Sequence, residues 1–133
     1  MVVGGYALAF HGMPRHTGDL DIWIDRAENN ATKMLKVVEE FGLIKDDFLK
    51  DGFITQIGYP PLRIDILNTI DGVEFKEAYT NRQTVEADGL MISYIGLAEF
   101  IKNKQAVGRP LDLSDIKEIQ KEDLWKKSRR KRS

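Results

Sequence analysis

The sequence contains no cysteine and only two histidines in 133 residues. The first absence excludes disulfides and thiolate chemistry and fits a reducing compartment. The two together leave too few ligands for a zinc centre. Proline is scarce, at four residues, and no Gly, Ser or Pro cluster is long enough to read as a linker. No internal repeat is visible. No apolar run approaches the ~20 residues needed to cross a bilayer. The opening stretch "MVVGGYALAF" has no basic segment ahead of its apolar part, so it does not read as a secretory leader. The expectation is a cytoplasmic protein with no membrane partner.

The formal net charge of −1 conceals an asymmetry. The last eight residues, "KKSRRKRS", hold six Lys or Arg and no acid. Without them 14 basic residues face 21 acidic ones. Such an acidic body argues against a wide nucleic-acid surface. A basic stretch either meets phosphates or lies solvated at a frayed end. The chain therefore divides into a single minimal domain over residues 1–125 and a basic, flexible tail over 126–133.

Hydrophobic periodicity supplies the elements. Met1 to Val3 is a strand stub, and Gly5 to His11 a short helix stopped by Gly12. Asp19 to Ile24 alternates, with Leu20, Ile22 and Ile24 on one face and Asp19, Asp21 and Trp23 on the other. Asn30 caps a helix whose apolar stripe is Met34, Leu35, Val38 and Phe41. Phe53 to Gly58 and Leu62 to Leu67 are strands; the second sets Arg63 and Asp65 against Leu62, Ile64 and Ile66. A helical turn or two lies near Glu74 to Tyr79. Asp88-Gly89 joins Thr84–Ala87 to Leu90–Ser93 as a hairpin. Leu97 to Val107 is helical, closed by Gly108, and Ser114 caps a last helix through Lys121 with Ile116 and Ile119 turned inward. Helices and strands mix without strict alternation. That predicts an α/β or α+β domain, a mixed sheet flanked by helices.

The period-two strands also carry the chemistry. Asp19 and Asp21 share one side of their strand, and Asp65 stands alike on a later strand. If those strands are neighbours, three carboxylates converge. Two bare carboxylates about 4 Å apart repel by roughly 4 kcal/mol at an effective dielectric near 20. A shared proton, a basic partner or a divalent cation relieves this, and Mg²⁺ suits clustered aspartates that also meet phosphates. Gly4-Gly5 lies between strand stub and helix, where backbone N–H groups can approach an anion closely. An ion pair with Asp65 accounts for Arg63, hydrogen bonding for His11, loop surface for His16, helix-start charges for Asp112 and Asp115, and packing for Trp23. Arg15 would neutralise Asp19 or meet a phosphate.

"GGYALAFHG…RHTGDLDIWI" followed by "LRIDIL" resembles the nucleotidyltransferase superfamily, and most closely its small bacterial members, some of them toxin–antitoxin components. "EFIKNKQAVGRPLDLSDI" is similar to a region where a Lys, an Arg and an Asp follow in order. The likeness covers most of residues 2–119. It implies a nucleotidyltransferase-like mixed sheet and an Mg²⁺-dependent enzyme, with Mn²⁺ as a substitute. Such an enzyme moves an NMP from an NTP to a hydroxyl of a protein, an RNA or a small molecule and releases pyrophosphate. Asp19, Asp21 and Asp65 would be the catalytic metal ligands. Gly4, Gly5, Arg15, Thr17, Lys104 and Arg109 would bind substrate. The alternative it allows is a catalytically weak binding module acting through a partner protein, as in a toxin–antitoxin pair. Such proteins usually carry a helix ahead of the first strand, and this sequence starts almost on the glycines.

Overall fold

The computed structural model describes residues 1–13, 18–42, 52 and 54–131. The expected strand start at Phe53 and the candidate residues Arg15, His16 and Thr17 lie outside the described residues. Eleven elements follow in the order β1 (Val2–Val3), α1 (Gly4–Phe10), β2 (Asp19–Trp23), α2 (Glu28–Glu40), β3 (Ile54–Tyr59), β4 (Leu62–Leu67), α3 (Phe75–Thr80), β5 (Gln83–Ala87), β6 (Leu90–Tyr94), α4 (Leu97–Val107) and α5 (Pro110–Lys131). The six strands form one sheet in the order β3-β4-β2-β1-β6-β5. It is mixed, as expected: β2 runs parallel to β4 and β1 to β6, and the other neighbours are antiparallel.

Alternation along the strands feeds two apolar layers. Val3 and Trp23 pack with Ala7 and Leu8 of α1, Phe100 of α4 and Ile119 of α5. Ile24 and Ile66 pack with Ala31 and Val38 of α2. Trp23 is fully buried, edge-on to Phe75 at 5.1 Å, which fixes it as a core residue. At the other end of the sheet, Asp88 and Gly89 take φ of 50° and 80°, the left-handed pair a two-residue hairpin needs. Gly108, at φ 68°, closes α4 where the sequence placed its stop.

Two helix starts and one helix end differ from the sequence reading. The residue at the cap of α2 is Ala27, not Asn30. Asp25 turns the chain there: its Oδ1 accepts the Ala27 N–H at 3.0 Å and its carbonyl accepts the Asn30 side-chain amide at 2.6 Å. Helix α5 begins at Pro110, four residues before Ser114. Proline is favoured in a first turn because its missing N–H has no intrahelical partner there. Asp112 reaches back to accept the Arg109 N–H at 3.2 Å, half of a capping box. The same helix does not stop at Lys121 but continues through Lys131, so residues 126–131 are helical. Leu, Lys, Glu, Gln and Arg are good helix formers, nothing in the stretch breaks a helix, and the closing cations oppose the negative end of the helix dipole.

Candidate active site

Strands β2 and β4 are apolar on one side and on the other run from charged residues to the buried Trp23 and the partly buried Leu67, and their parallel register decides which charges meet. Asp19 lies opposite Arg63, and Asp21 opposite Asp65. Adjacent residues in register share a face, so the three aspartates expected from sequence stand on the same side of the sheet with Arg63 among them. Arg63 serves two of them. Its Nη2 donates to Asp19 Oδ2 at 2.9 Å and to Asp65 Oδ2 at 3.1 Å. Its Nε lies 2.9 Å from Asp65 Oδ1, a charge contact whose angle leaves both buried atoms without an aligned hydrogen bond.

Among the described residues, the pairing of Arg63 is with Asp19 and Asp65, not with Asp21. Burial, then the charges of Asp65 and Asp19, push the Asp21 carboxyl up to about 6, and Arg63 offsets only part of that rise. Gly4, at φ 68°, brings its backbone against the same carboxylate, because a β-carbon there would collide with Asp21 Oδ2. Any other residue at position 4 would displace Asp21 and strain the entry to α1. Gly5 follows in the first turn of that helix.

The donor set tests the fit of a divalent cation. All candidate ligands are carboxylate oxygens, the type Mg²⁺ prefers. The Asp21–Asp65 pair carries a repulsion that a cation would relieve, and Asp65 Oδ1 is buried 2.9 Å from Arg63 Nε without an aligned hydrogen bond. Asp19 faces Arg63 instead. Among the described residues no three acidic or histidine side chains converge in a metal-holding arrangement. The chemistry of Asp21 and Asp65 fits a divalent cation, while Asp19 is paired with Arg63.

The other two expected substrate residues lie in a second cluster. Lys104 of α4 bonds Asp112 at 3.0 Å and lies 3.5 Å from Asp115, while Arg109 Nε bonds Asp112 at 2.7 Å. Asp112 is 1 % exposed. The hydrogen bond from Arg109, helped by Lys104 and opposed by burial, holds its carboxyl down at about 2. Asp112 is thus both the helix-start charge expected and the centre of an α4–α5 junction. His11 Nε2 lies 2.7 Å from the Ile95 carbonyl, the structural role expected of it. Two clefts flank Trp23, one lined by Asn29, Lys33 and Phe75 and one by Asn68, Glu74 and Lys76; neither is lined by the three aspartates.

Arg63 was recognised in the sequence as a partner for Asp65, but its second bond, to Asp19, was not. The signal was available: "DLDI" and "RIDI" align residue for residue once the two strands are taken as parallel and adjacent.

No helix among the described residues is long and apolar enough to cross a membrane. No protein-family model matches the sequence, and no curated protein matches it. Among solved structures, a candidate nucleotidyltransferase from Thermotoga maritima superposes with a TM-score of 0.54 at 18% identity, over 96% of this chain and 81% of that one. With six strands in a mixed sheet and helices on both faces, the chain has a nucleotidyltransferase-like fold.

Proposed function

We propose that this protein is an Mg²⁺-dependent nucleotidyltransferase that moves an NMP from an NTP to a hydroxyl acceptor and releases pyrophosphate. One observation carries the reading: Asp21 and Asp65 stand side by side in parallel register, with the Gly4 backbone packed against Asp21. When bound, the cation supplies charge neutralisation for the triphosphate and its leaving group. Asp21 and Asp65 hold it, and Asp19 joins them. The backbone at Gly4 and Gly5 seats the phosphates, with Arg15 and Thr17 contributing from the segment that enters β2. The acceptor oxygen attacks the α-phosphorus, the bond to the bridging oxygen of pyrophosphate breaks, and the acceptor proton passes to a carboxylate such as Asp65 or to water. Positioning and electrostatics provide most of the acceleration. Lys104 and Arg109 remain candidate substrate contacts, although Lys104 is paired with Asp112 and Asp115 and Arg109 with Asp112.

The test is transfer of label from each NTP to cell lysate, comparing the natural protein with Asp21→Asn and Asp65→Asn. Loss of at least about 100-fold in labelling is expected for either variant. Equal labelling by variants and natural protein would defeat the assignment. Arg63 favours a second reading, since it partly neutralises the acidic face: a catalytically weak module that acts through a partner protein, as in a toxin–antitoxin pair. Turnover in the labelling assay separates the two, and thermal stabilisation checks the nucleotide binding that the enzyme requires. An active enzyme at an NTP concentration near 100 Kd gains about 2.7 kcal/mol, and that gain needs Mg²⁺.

A further inference from the structure

We infer that Arg63 is an internal counter-ion that competes with a divalent cation for Asp19 and Asp65, so that binding of the cation requires the guanidinium to leave both carboxylates. The inference rests on the metal-binding reading of this site. It follows from where the charges are fixed. The aspartates sit on short side chains projecting from paired strands, with Asp19 and Asp65 diagonal to each other across the β2–β4 register. Arg63 reaches both through a single terminal nitrogen, at 2.9 and 3.1 Å. Those oxygens cannot serve a guanidinium and a small cation at full strength together, because each would lie in the other's field.

The arginine is the group that can move. It has a long side chain, 25% exposed, whereas the Asp65 side chain is 12% exposed and anchored on a central strand. Its bond to Asp65 is also incomplete, since the Nε–Oδ1 contact has no aligned hydrogen bond. A triphosphate arriving with the cation offers the displaced guanidinium another bidentate anion. Cation and nucleotide should therefore bind together better than either alone, a reciprocal coupling that runs through Arg63.

The probe is Mn²⁺, with free ion counted by electron paramagnetic resonance, so that the readout is binding and not turnover. The full chain is compared with Arg63→Gln and Arg63→Lys, each with and without a non-hydrolysable NTP analogue. Without nucleotide, the Gln variant should bind Mn²⁺ about tenfold tighter than the natural protein, because a positive charge that repels the cation has been removed. The analogue should improve Mn²⁺ affinity less in that variant than in the natural protein. The Lys variant keeps a charge but loses the second contact that Nε makes with Asp65, so its affinity should fall between the two, and it carries the test if the Gln variant does not fold. Equal or weaker Mn²⁺ binding in the variants, with clear binding in the natural protein, overturns the role of Arg63 alone. No Mn²⁺ binding by any of the three, with or without nucleotide, overturns the metal reading of the site as well.

Discussion

The carboxylate face of β2 and β4 and the junction of α4 with α5 are built from the same residue types and behave in opposite ways. At the junction, Lys104 and Arg109 meet Asp112 and Asp115, two cations against two anions. On the sheet, among the described residues, Arg63 pairs with Asp19 and Asp65, and its charge offsets only part of the rise at Asp21. The balanced cluster holds a carboxyl down at about 2, and the unbalanced one pushes a carboxyl up to about 6. Burial disfavours the charged form in both places; only the supply of partners differs. A cluster that stabilises its own charges is a structural joint. A cluster that leaves charge uncompensated costs stability and gains a use for an added cation, which is why perturbed carboxylates concentrate at functional sites.

The largest effect should come from breaking the balanced side. Asp112→Asn would leave Lys104 half-buried without its nearest anion and weaken the cap at Arg109. A loss of about 3 kcal/mol is expected in urea unfolding, the range for removing one partner of a buried pair. A double-mutant cycle with Lys104→Met isolates the pair: the lysine change should cost less when Asp112→Asn is already present than it does alone. If the two losses simply add, the junction is not a coupled unit and the contrast with the sheet fails.

Changing the unbalanced side should act with the opposite sign. Asp21 keeps its proton to about pH 6 when folded but loses it near its ordinary value of 3.8 when unfolded. Its contribution is therefore fully present below pH 3.8 and is lost as pH rises through 6. Asp112 runs the other way, contributing above its ordinary 3.8 and losing that contribution as pH falls through about 2. Asp21→Asn should abolish the fall in stability between about pH 4 and 6 and raise stability at pH 7 by about 1 kcal/mol, after allowance for solvent screening. Thermal melts across that range read both outcomes. The same variant is expected to lose transfer activity, so stability and activity would part company at one residue.

How far the sequence revealed this contrast depends on the range of the interactions. The sheet site was legible because alternation is local: "DLDI" and "RIDI" each announce their charged face within four residues, and Asp88-Gly89 announces its turn within two. The bond from Arg63 to Asp19 was not, because it depends on a parallel register between strands 44 residues apart. By resemblance Lys104 and Arg109 are substrate residues, and "RPLD" carries a second signal, an acid placed to cap the helix that Pro110 opens. The extent of α5 had no apolar period to mark it beyond Ile119. Only propensity and charge spacing speak for the helix there, and both are weak signals one residue at a time.

That extension supplies the smallest test, since it holds an ion pair with none of the burial of the junction. Lys127 Nζ lies 3.0 Å from Asp123 at helical i,i+4 spacing, with the lysine side chain 66% exposed. Its separation equals that of Lys104 from Asp112, yet solvent screens it and both side chains give up rotamer freedom to hold it. The acid precedes the base, which is the favoured order relative to the helix dipole, and still the expected return is small. Lys127→Gln should lower stability by no more than about 0.5 kcal/mol, and about 0.5 M salt should erase the difference. Equal salt should leave most of the Asp112→Asn loss in place. A Lys127 effect as large as that of Asp112 would mean that distance alone, and not burial, separates the strong pairs of this molecule from the weak ones.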